Sequence, residues 1–512
     1  MFLPKPPSLS SEHLSLAIVI AVGLFAIIGA VFVSPWLLIA ILLGAAAIWA
    51  TYKEPMWTVS FLALWWPLEP FILKFIPDDI YVFARYGSDM LVYLLVVVVL
   101  FGVWTKKYHR RSTPADLPFL LFVGILIVST ILNALPIGTA FLGARQILRF
   151  VILFFVIVLR YPRRYWIRRV LAVMLVMAAL QAVLGIGQTL AGGSFDSLLL
   201  PSERKTFGDI QLTEGTVQFW DPGQRVFGTM GRYDRLGTFL ALALLIAVAY
   251  AYEDKERKYA AWIGAFSLLA LPTIILTYSR SAWFGLAFGV LAIAFFKKDK
   301  RVFMSAGILA AVFIGYLLVS DITKTVTDTP DQTVVERLSE AFSYYRFRGE
   351  YVGLGRVFWI IQTPLKIVPH SFTSFLFGWG PGQFGGGAAA ALHNTRAYDL
   401  TGLPFGVYGT EGYIDNNWFS VWGEAGTLGF IFFIWLYLAL FGVAWRVAKH
   451  SKIAFTRAVA LAAIGVFVAF AVNALLATFL EIRTLAPYVW ILAGATVVLG
   501  SRERILETRV KW

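Results

Sequence analysis

Arg280 stands in LTYSRSAWFGL (276–286), between two apolar runs that are each long enough to cross a bilayer. If residue 280 opens a helix that enters the membrane from outside, the first turn carries a positive partial charge and free backbone N–H groups. A basic residue is unfavourable there in an isolated helix and makes sense if an anion fills the place. Ser279 can cap such a helix, and Arg280 with the first N–H groups then forms a phosphate site. The alternative is an arginine that snorkels to headgroups or pairs with a carboxylate. The pattern recurs along the chain. RVFGTMGRYDRLG (225–237) brings Arg225, Arg232 and Arg235 to the start of another run, and Arg145 and Arg149 lie within a third, Arg145 near its outer end. DNNWFSVWGEAGTLG (415–429) opens a fourth, with Asp415 or Asn416 as the cap and Glu424 facing into the membrane. Ionisable residues inside apolar segments mark function by default. A set of cations at one level suggests a ligand with more than one phosphate, such as a polyprenyl diphosphate.

Group transfer also needs a base. The candidates are Asp415, Glu411, Asp399, His393, Glu424 and His370. His393, in ALHNTRAYD, is alternatively a loop hydrogen-bonder, and Asp415 a plain helix cap. No D-x-D occurs on the expected outer face, where Asp78-Asp79 is the compact acidic pair, so no metal is expected. No Walker loop or Rossmann fingerprint stands in a credible context, so nucleotide use and other cofactors are not expected either.

The elements that must position these residues follow from composition. The 512 residues are 59% hydrophobic and 14% charged, against about 25% charged in soluble domains. This implies an all-α polytopic membrane protein. A span needs about 20 mostly apolar residues. The sequence offers fourteen candidates: 14–33, 35–52, 56–73, 88–105, 117–135, 140–159, 169–191, 236–252, 259–278, 280–296, 302–320, 417–445, 454–479 and 484–500. Pro67 and Pro70 interrupt the third, and Arg145, Gln146 and Arg149 the sixth. The first reads as a membrane helix rather than a removed signal peptide, because no small-residue cleavage site follows it.

Numbering the spans puts the basic clusters at 106–111, 160–169, 255–258, 297–301, 446–457 and 502–511 on one side. By the positive-inside rule that side is cytoplasmic and holds both termini. It also accounts for the net charge of +14 without nucleic acid. The absence of cysteine excludes disulfides and thiolate chemistry. The outer face then carries a medium loop at 74–87 and long loops at 192–235 and 321–416. The organisation is residues 1–320 as a membrane unit, 321–416 as a large structured outer loop, and 417–512 as the last spans and tail. Within the large loop, Thr333 to Phe347 has helical periodicity. RVFWIIQTPLKIV (356–368) suggests an interfacial amphipathic helix anchored by Trp359, and GWGPGQFGGGAAA (378–390) a turn and flexible tract.

Three segments in order, SRSAWFGL, GWGPGQF after a long outer loop, and DNNWFSVWGEAGTLGF, resemble the O-antigen ligase and Wzy-type polymerase superfamily of bacterial envelope glycan enzymes, over roughly residues 220 to 480. The resemblance implies a GT-C-like helical fold in the bacterial inner membrane with a large periplasmic loop. It implies transfer of glycan from an undecaprenyl-diphosphate donor to an acceptor hydroxyl, without nucleotide sugar or metal. Membrane lipid and the chain-length regulator and flippase of the same pathway are the implied partners. Arg280 matches the arginine of the family's S-R-G/S turn, and one of Arg225, Arg232 and Arg235 matches a second. Ligases carry His-Asn where this chain has Asp415-Asn416, which favours a polymerase. Trp359, Trp379, Tyr398 and Tyr408 could stack on sugars or sit at the interface. Competing readings are a ligase, a flippase or transporter, and a metal enzyme using Asp78-Asp79.

Overall fold

The computed structural model describes residues 35–201, 206–207, 210–211, 222–319, 333–406 and 412–506. The first expected span, 14–33, lies outside them. Apart from a two-residue ladder pairing Thr206–Phe207 with Ile210–Gln211, the regular structure is helical. The apolar runs become α1 (Pro35–Lys53), α2 (Pro55–Ile72), α3 (Asp78–Trp104), α4 (Asp116–Leu132), α5 (Ile137–Leu148), α6 (Val151–Arg160), α7 (Arg164–Leu190), α8 (Tyr233–Glu253), α9 (Ala260–Leu276), α10 (Arg280–Lys297) and α11 (Lys300–Val319). Inside hydrocarbon a segment must satisfy its own backbone groups, and a helix does so. By length and apolarity, eight helices among the described residues can cross a membrane. The number becomes nine if α5 and α6, bent by 62°, form one broken span. The protein is therefore a membrane-embedded helical bundle.

Residues 74–87 are not the expected loop, because α3 begins at Asp78. At 1.5 Å per residue its 27 residues reach about 40 Å, beyond a hydrocarbon core of about 30 Å. The bend between α5 and α6 falls at Arg149 and Phe150, within the polar interruption of that run.

After the 333–416 segment come α18 (Asn417–His450), α19 (Ala454–Asn473) and α20 (Ala486–Arg502). Helix α20 is the bundle's axis, buried from Ala486 to Gly500. The hydroxyl of Tyr488 donates to the Ala63 carbonyl (2.7 Å), and its ring meets Trp66 edge-on at 5.8 Å. Helix α11 is the opposite case. It packs mainly on α10, and none of its apolar window is buried.

The basic clusters assemble at one end of the bundle. Arg160 pairs with Glu54 (2.6 Å), and Arg502 donates to the Tyr161 carbonyl (3.0 Å). Glu253 joins Lys297 (2.7 Å) to Arg457 (2.6 Å).

At the other end a small helical domain contains α12 (Val334–Glu340), α13 (Tyr344–Val352), α14 (Arg356–Gln362), α15 (Phe372–Phe377), α16 (Gly387–Ala391) and α17 (Arg396–Thr401). Thr333 and Glu336 cap α12 reciprocally, the pattern expected of a T-x-x-E start. Trp359, Trp379, Phe384, Tyr398 and Ile414 form this domain's own core. Trp359 is fully buried there, so it is not an interfacial anchor.

The glycine tract is likewise packed rather than flexible. Helix α18 breaks at Gly426, whose φ of 67° and ψ of −176° are not helical. The break frees the carbonyls of Gly423 and Glu424, which accept from the N–H groups of Trp379 and Gly380 (2.9 Å each). The contact is close because both partners are glycine. A Cβ on Gly378 (φ +78°) would lie 2.3 Å from the Glu424 oxygen, and one on Gly426 2.4 Å from the Gly378 nitrogen. Gly378→Ala is expected to cost about 3 kcal/mol or more, from left-handed strain and overpacking together. Limited proteolysis of the purified protein checks this. Cleavage between 378 and 412 should accelerate, and an unchanged pattern counts against the docking described.

Candidate functional site

The site begins with a glycine. A Cβ on Gly237 would meet Ala282 at 2.8 Å and the Thr277 hydroxyl at 2.9 Å, so the first turns of α8 and α10 lie side by side. Two helix N-termini at one place add their positive partial charges. Ser279 caps α10 as expected, accepting from the Ala282 N–H at 3.4 Å, and Arg280 is the first helical residue. Arg232 occupies the cap position of α8 and pairs with Asp234 (3.2 Å), beside Arg235. Arg225 lies over the Tyr233 ring, 4.6 Å from its centre. Burial is the main cause that lowers its pKa, and Arg337 adds to it against Tyr233 and Glu340.

The small domain brings further arginines that the sequence reading did not single out. Phe342, between α12 and α13, lies against Phe284 of α10 (6.1 Å) and Phe313 of α11 (5.8 Å). This seats Glu340 beside Arg280. Its carboxylate, 5% exposed, is 2.8 Å from Arg337, 3.3 Å from Arg346 and 3.5 Å from Arg280. Arg346 also reaches Glu350 (2.8 Å), which accepts from the Arg356 N–H (2.9 Å). The Arg356 side chain pairs with Asp415 at 3.3 Å. Burial alone would lower the Arg356 pKa, but the charges of Asp415 and Glu350 outweigh it and raise it. Arg356 acts electrostatically on Arg280 as well, so the cluster is continuous. Guanidiniums of Arg225, Arg232, Arg235, Arg280, Arg337, Arg346 and Arg356 converge here, with the carboxylates of Asp234, Glu340, Glu350 and Asp415 among them. Arginine forks match phosphoryl oxygens well, so this convergence suits an anion with several oxygens.

Arg145 does not belong to this set. It pairs with the buried Asp89 of α3 and lies over the Tyr86 ring (5.1 Å). Asp89 also holds Arg149 and Arg483 at 3.2 Å each, and Arg483 reaches Glu69 (2.7 Å). Glu481 extends this second cluster, accepting from Gln146 (3.2 Å) and Asn417 (3.0 Å). These ion pairs are nearly buried, which makes the cluster a structural lock between α2, α3, α5 and the 481–483 turn. The sequence reading singled out Arg145 and Arg149 but neither Asp89 nor Glu69, although carboxylates inside apolar runs are a signal for such clusters.

The cap of α18 is Asn416, which accepts from the Phe419 N–H (3.0 Å) and donates to the Leu475 carbonyl (3.1 Å). Asp415 is left at the edge of the arginine cluster, with a left-handed φ of 50° and about a third of its side chain exposed. His393 rests against Phe405 (4.9 Å), Asp399 accepts from the Thr395 hydroxyl (2.7 Å), and His370 lies on Trp379 (5.0 Å). Glu424 is buried under the glycine tract, accepting from the Phe384 N–H (3.4 Å). Glu411 and Tyr408 lie outside the described residues. Trp379 donates to the Ile367 carbonyl (2.9 Å) and Tyr398 to that of Gly412 (3.1 Å). With Trp359 they fill a core and present no face to a sugar. Among the described residues no group of three or more His, Cys, Asp or Glu is arranged to hold a metal ion. No family model matches the chain, and no curated protein matches it.

Proposed function

We propose that the chain is a glycosyltransferase of the Wzy polymerase kind, extending undecaprenyl-diphosphate-linked oligosaccharide at the periplasmic face of a bacterial inner membrane. The observation that carries this reading is the convergence of arginines at the paired N-termini of α8 and α10, roofed by the small domain and flanked by the bare helix α11. On this reading the arginines and helix ends grip the donor's diphosphate and stabilise the charge that grows as it leaves. The acceptor hydroxyl oxygen attacks the anomeric carbon, the bond from that carbon to the diphosphate oxygen breaks, and the diphosphate departs with the electron pair. Asp415 takes the hydroxyl proton, with Arg356 holding its carboxylate in place. The fourteen-span topology, a GT-C-like fold, cytoplasmic termini, and a pathway flippase and chain-length regulator as partners belong to the same proposal.

The test is the purified protein given undecaprenyl-diphosphate oligosaccharide. A ladder of repeats on the lipid carrier is the expected product. One transfer to a different acceptor would make the protein a ligase, and no transfer would remove the enzyme reading. In the same assay Asp415→Asn should lose about 100-fold or more, the usual weight of a proton-transfer group, while His393→Ala should be mild. The reverse pattern would move the base to His393.

A further inference from the structure

We propose that Glu424 and Glu481 hold a proton between them, and that this proton keeps the glycine tract closed on α18. The inference concerns the proton and stands apart from the proposed reaction. The two carboxylates come from different elements, α18 and the 481–483 turn, and are 2% and 4% exposed. A Cβ on Gly386 would lie 3.3 Å from the Glu481 Oε2 and 3.6 Å from the Glu424 Oε1, so both acids reach the same point under the tract. Among the described residues neither carboxylate forms an ion pair. Asp89 and Glu340, by contrast, each meet three arginines. A buried carboxylate without a counter-ion takes up a proton rather than staying charged, and two carboxylates that share a site do not both ionise.

The hydrogen bonds show where the proton rests. Glu481 accepts from two side-chain amides, Gln146 (3.2 Å) and Asn417 (3.0 Å), and its main-chain carbonyl accepts from Arg149 (3.0 Å). Glu424 has the longer contact to the Phe384 N–H (3.4 Å). The one negative charge of the pair therefore belongs on Glu481 and the proton on Glu424. The other titratable groups facing the pair are committed elsewhere or neutral. Arg149 is held by Asp89, the Tyr398 hydroxyl joins Gly385 to Gly412, and the Tyr413 hydroxyl lies beside Gly387. Losing the proton puts a second charge under Gly386, and lifting the tract is what lets water reach it. The tract is thus closed while the proton is held and loosens as the pH rises through the pair's titration. Beyond that point each pH unit lowers the closed population relative to the open one about tenfold. Gly385 accepts from the Ile414 N–H (3.3 Å), so the opening extends to the residue before Asp415.

The experiment is an infrared pH titration of the full-length protein in lipid nanodiscs, as wild type, Glu424→Gln and Glu481→Gln, with proteolysis between 378 and 412 followed in parallel. At neutral pH the wild type should show the carbonyl stretch of a protonated carboxylic acid, which fades only in alkali. Glu424→Gln should remove that band and Glu481→Gln should keep it. Loss of the band in Glu481→Gln instead would support the shared proton and place it on Glu481. Once the band fades, cleavage of the wild type should quicken about tenfold per pH unit, measured against an unfolded control substrate. Glu424→Gln has the shape of the acid and no proton to lose, so its cleavage should stay level over the same range. No acid band at neutral pH, or a band that neither variant changes, would overturn the shared proton. A band that titrates while cleavage stays level would overturn its hold on the tract. Should Glu424→Gln fold poorly, Glu424→Asp moves the acid by one methylene and should shift the band, and an unshifted band would overturn the assignment.

Discussion

Arg280→Ala should yield a protein that inserts and melts like the wild type but forms product at least about 100-fold more slowly, the loss usual for removing one preorganised donor from a developing negative charge. The fold should tolerate the change because Glu340 keeps Arg337 and Arg346 and the Ser279 cap of α10 is untouched. The function should not tolerate it, because no other guanidinium stands at the first residue of that helix. Arg280→Lys should recover part of the rate, since the charge remains and the two-pronged geometry is lost. The check is product formation by purified protein alongside its melting midpoint. Wild-type turnover by Arg280→Ala would end the proposal that this residue grips the donor.

Asp89→Ala should do the opposite and remove the protein rather than its activity. The carboxylate is 2% exposed and is shared by Arg145, Arg149 and Arg483. Without it, Arg145 and Arg149 lose their carboxylate partner inside the bundle, and Arg483 keeps Glu69 and the Arg85 carbonyl. Leaving a buried charge unpaired costs about 3–5 kcal/mol, a large part of the 5–15 kcal/mol that typical folds possess. The yield of membrane-inserted protein should collapse. Asp89→Asn should fall between, because the amide oxygen still accepts a hydrogen bond. Combining Asp89→Ala with Arg145→Ala should restore some stability, since one orphaned cation is removed. A single variant as thermostable as the wild type would show that the cluster is not a lock.

These expectations fall on two arginine groups that look alike in sequence. Arg145 and Arg280 both sit at the edges of apolar runs, and the sequence places them in one set. What separates them is the charge opposite each, which comes from residues far along the chain. Helices themselves were legible: α10 and α19 begin at the expected residues, Arg280 and Ala454, because apolar runs report directly on burial in lipid. The break at Gly426 was not, since WFSVWGEAGTLGF leads without a proline into a long apolar run and the kink depends on the Trp379 and Gly380 N–H groups that meet it. The extension of α3 to Asp78 was hidden by polar residues that mimic a loop. Trp359 shows a similar ambiguity. An aromatic in a short amphipathic stretch suits a membrane interface and the core of a small domain equally, and only the partners Phe384 and Tyr398 decide. The arginines of α12 to α14 had no signal beyond the helical periodicity of Thr333 to Phe347 and the amphipathic run at 356–368.

The uncovered surface of α11 beside Arg280 bears on how reactant would be supplied. A tailed molecule reaching that corner could stay in the leaflet and arrive by diffusion in two dimensions. Saturation would then follow its mole fraction among the surrounding lipids, and diluting it with inert lipid at constant total amount would slow turnover as though substrate had been withdrawn.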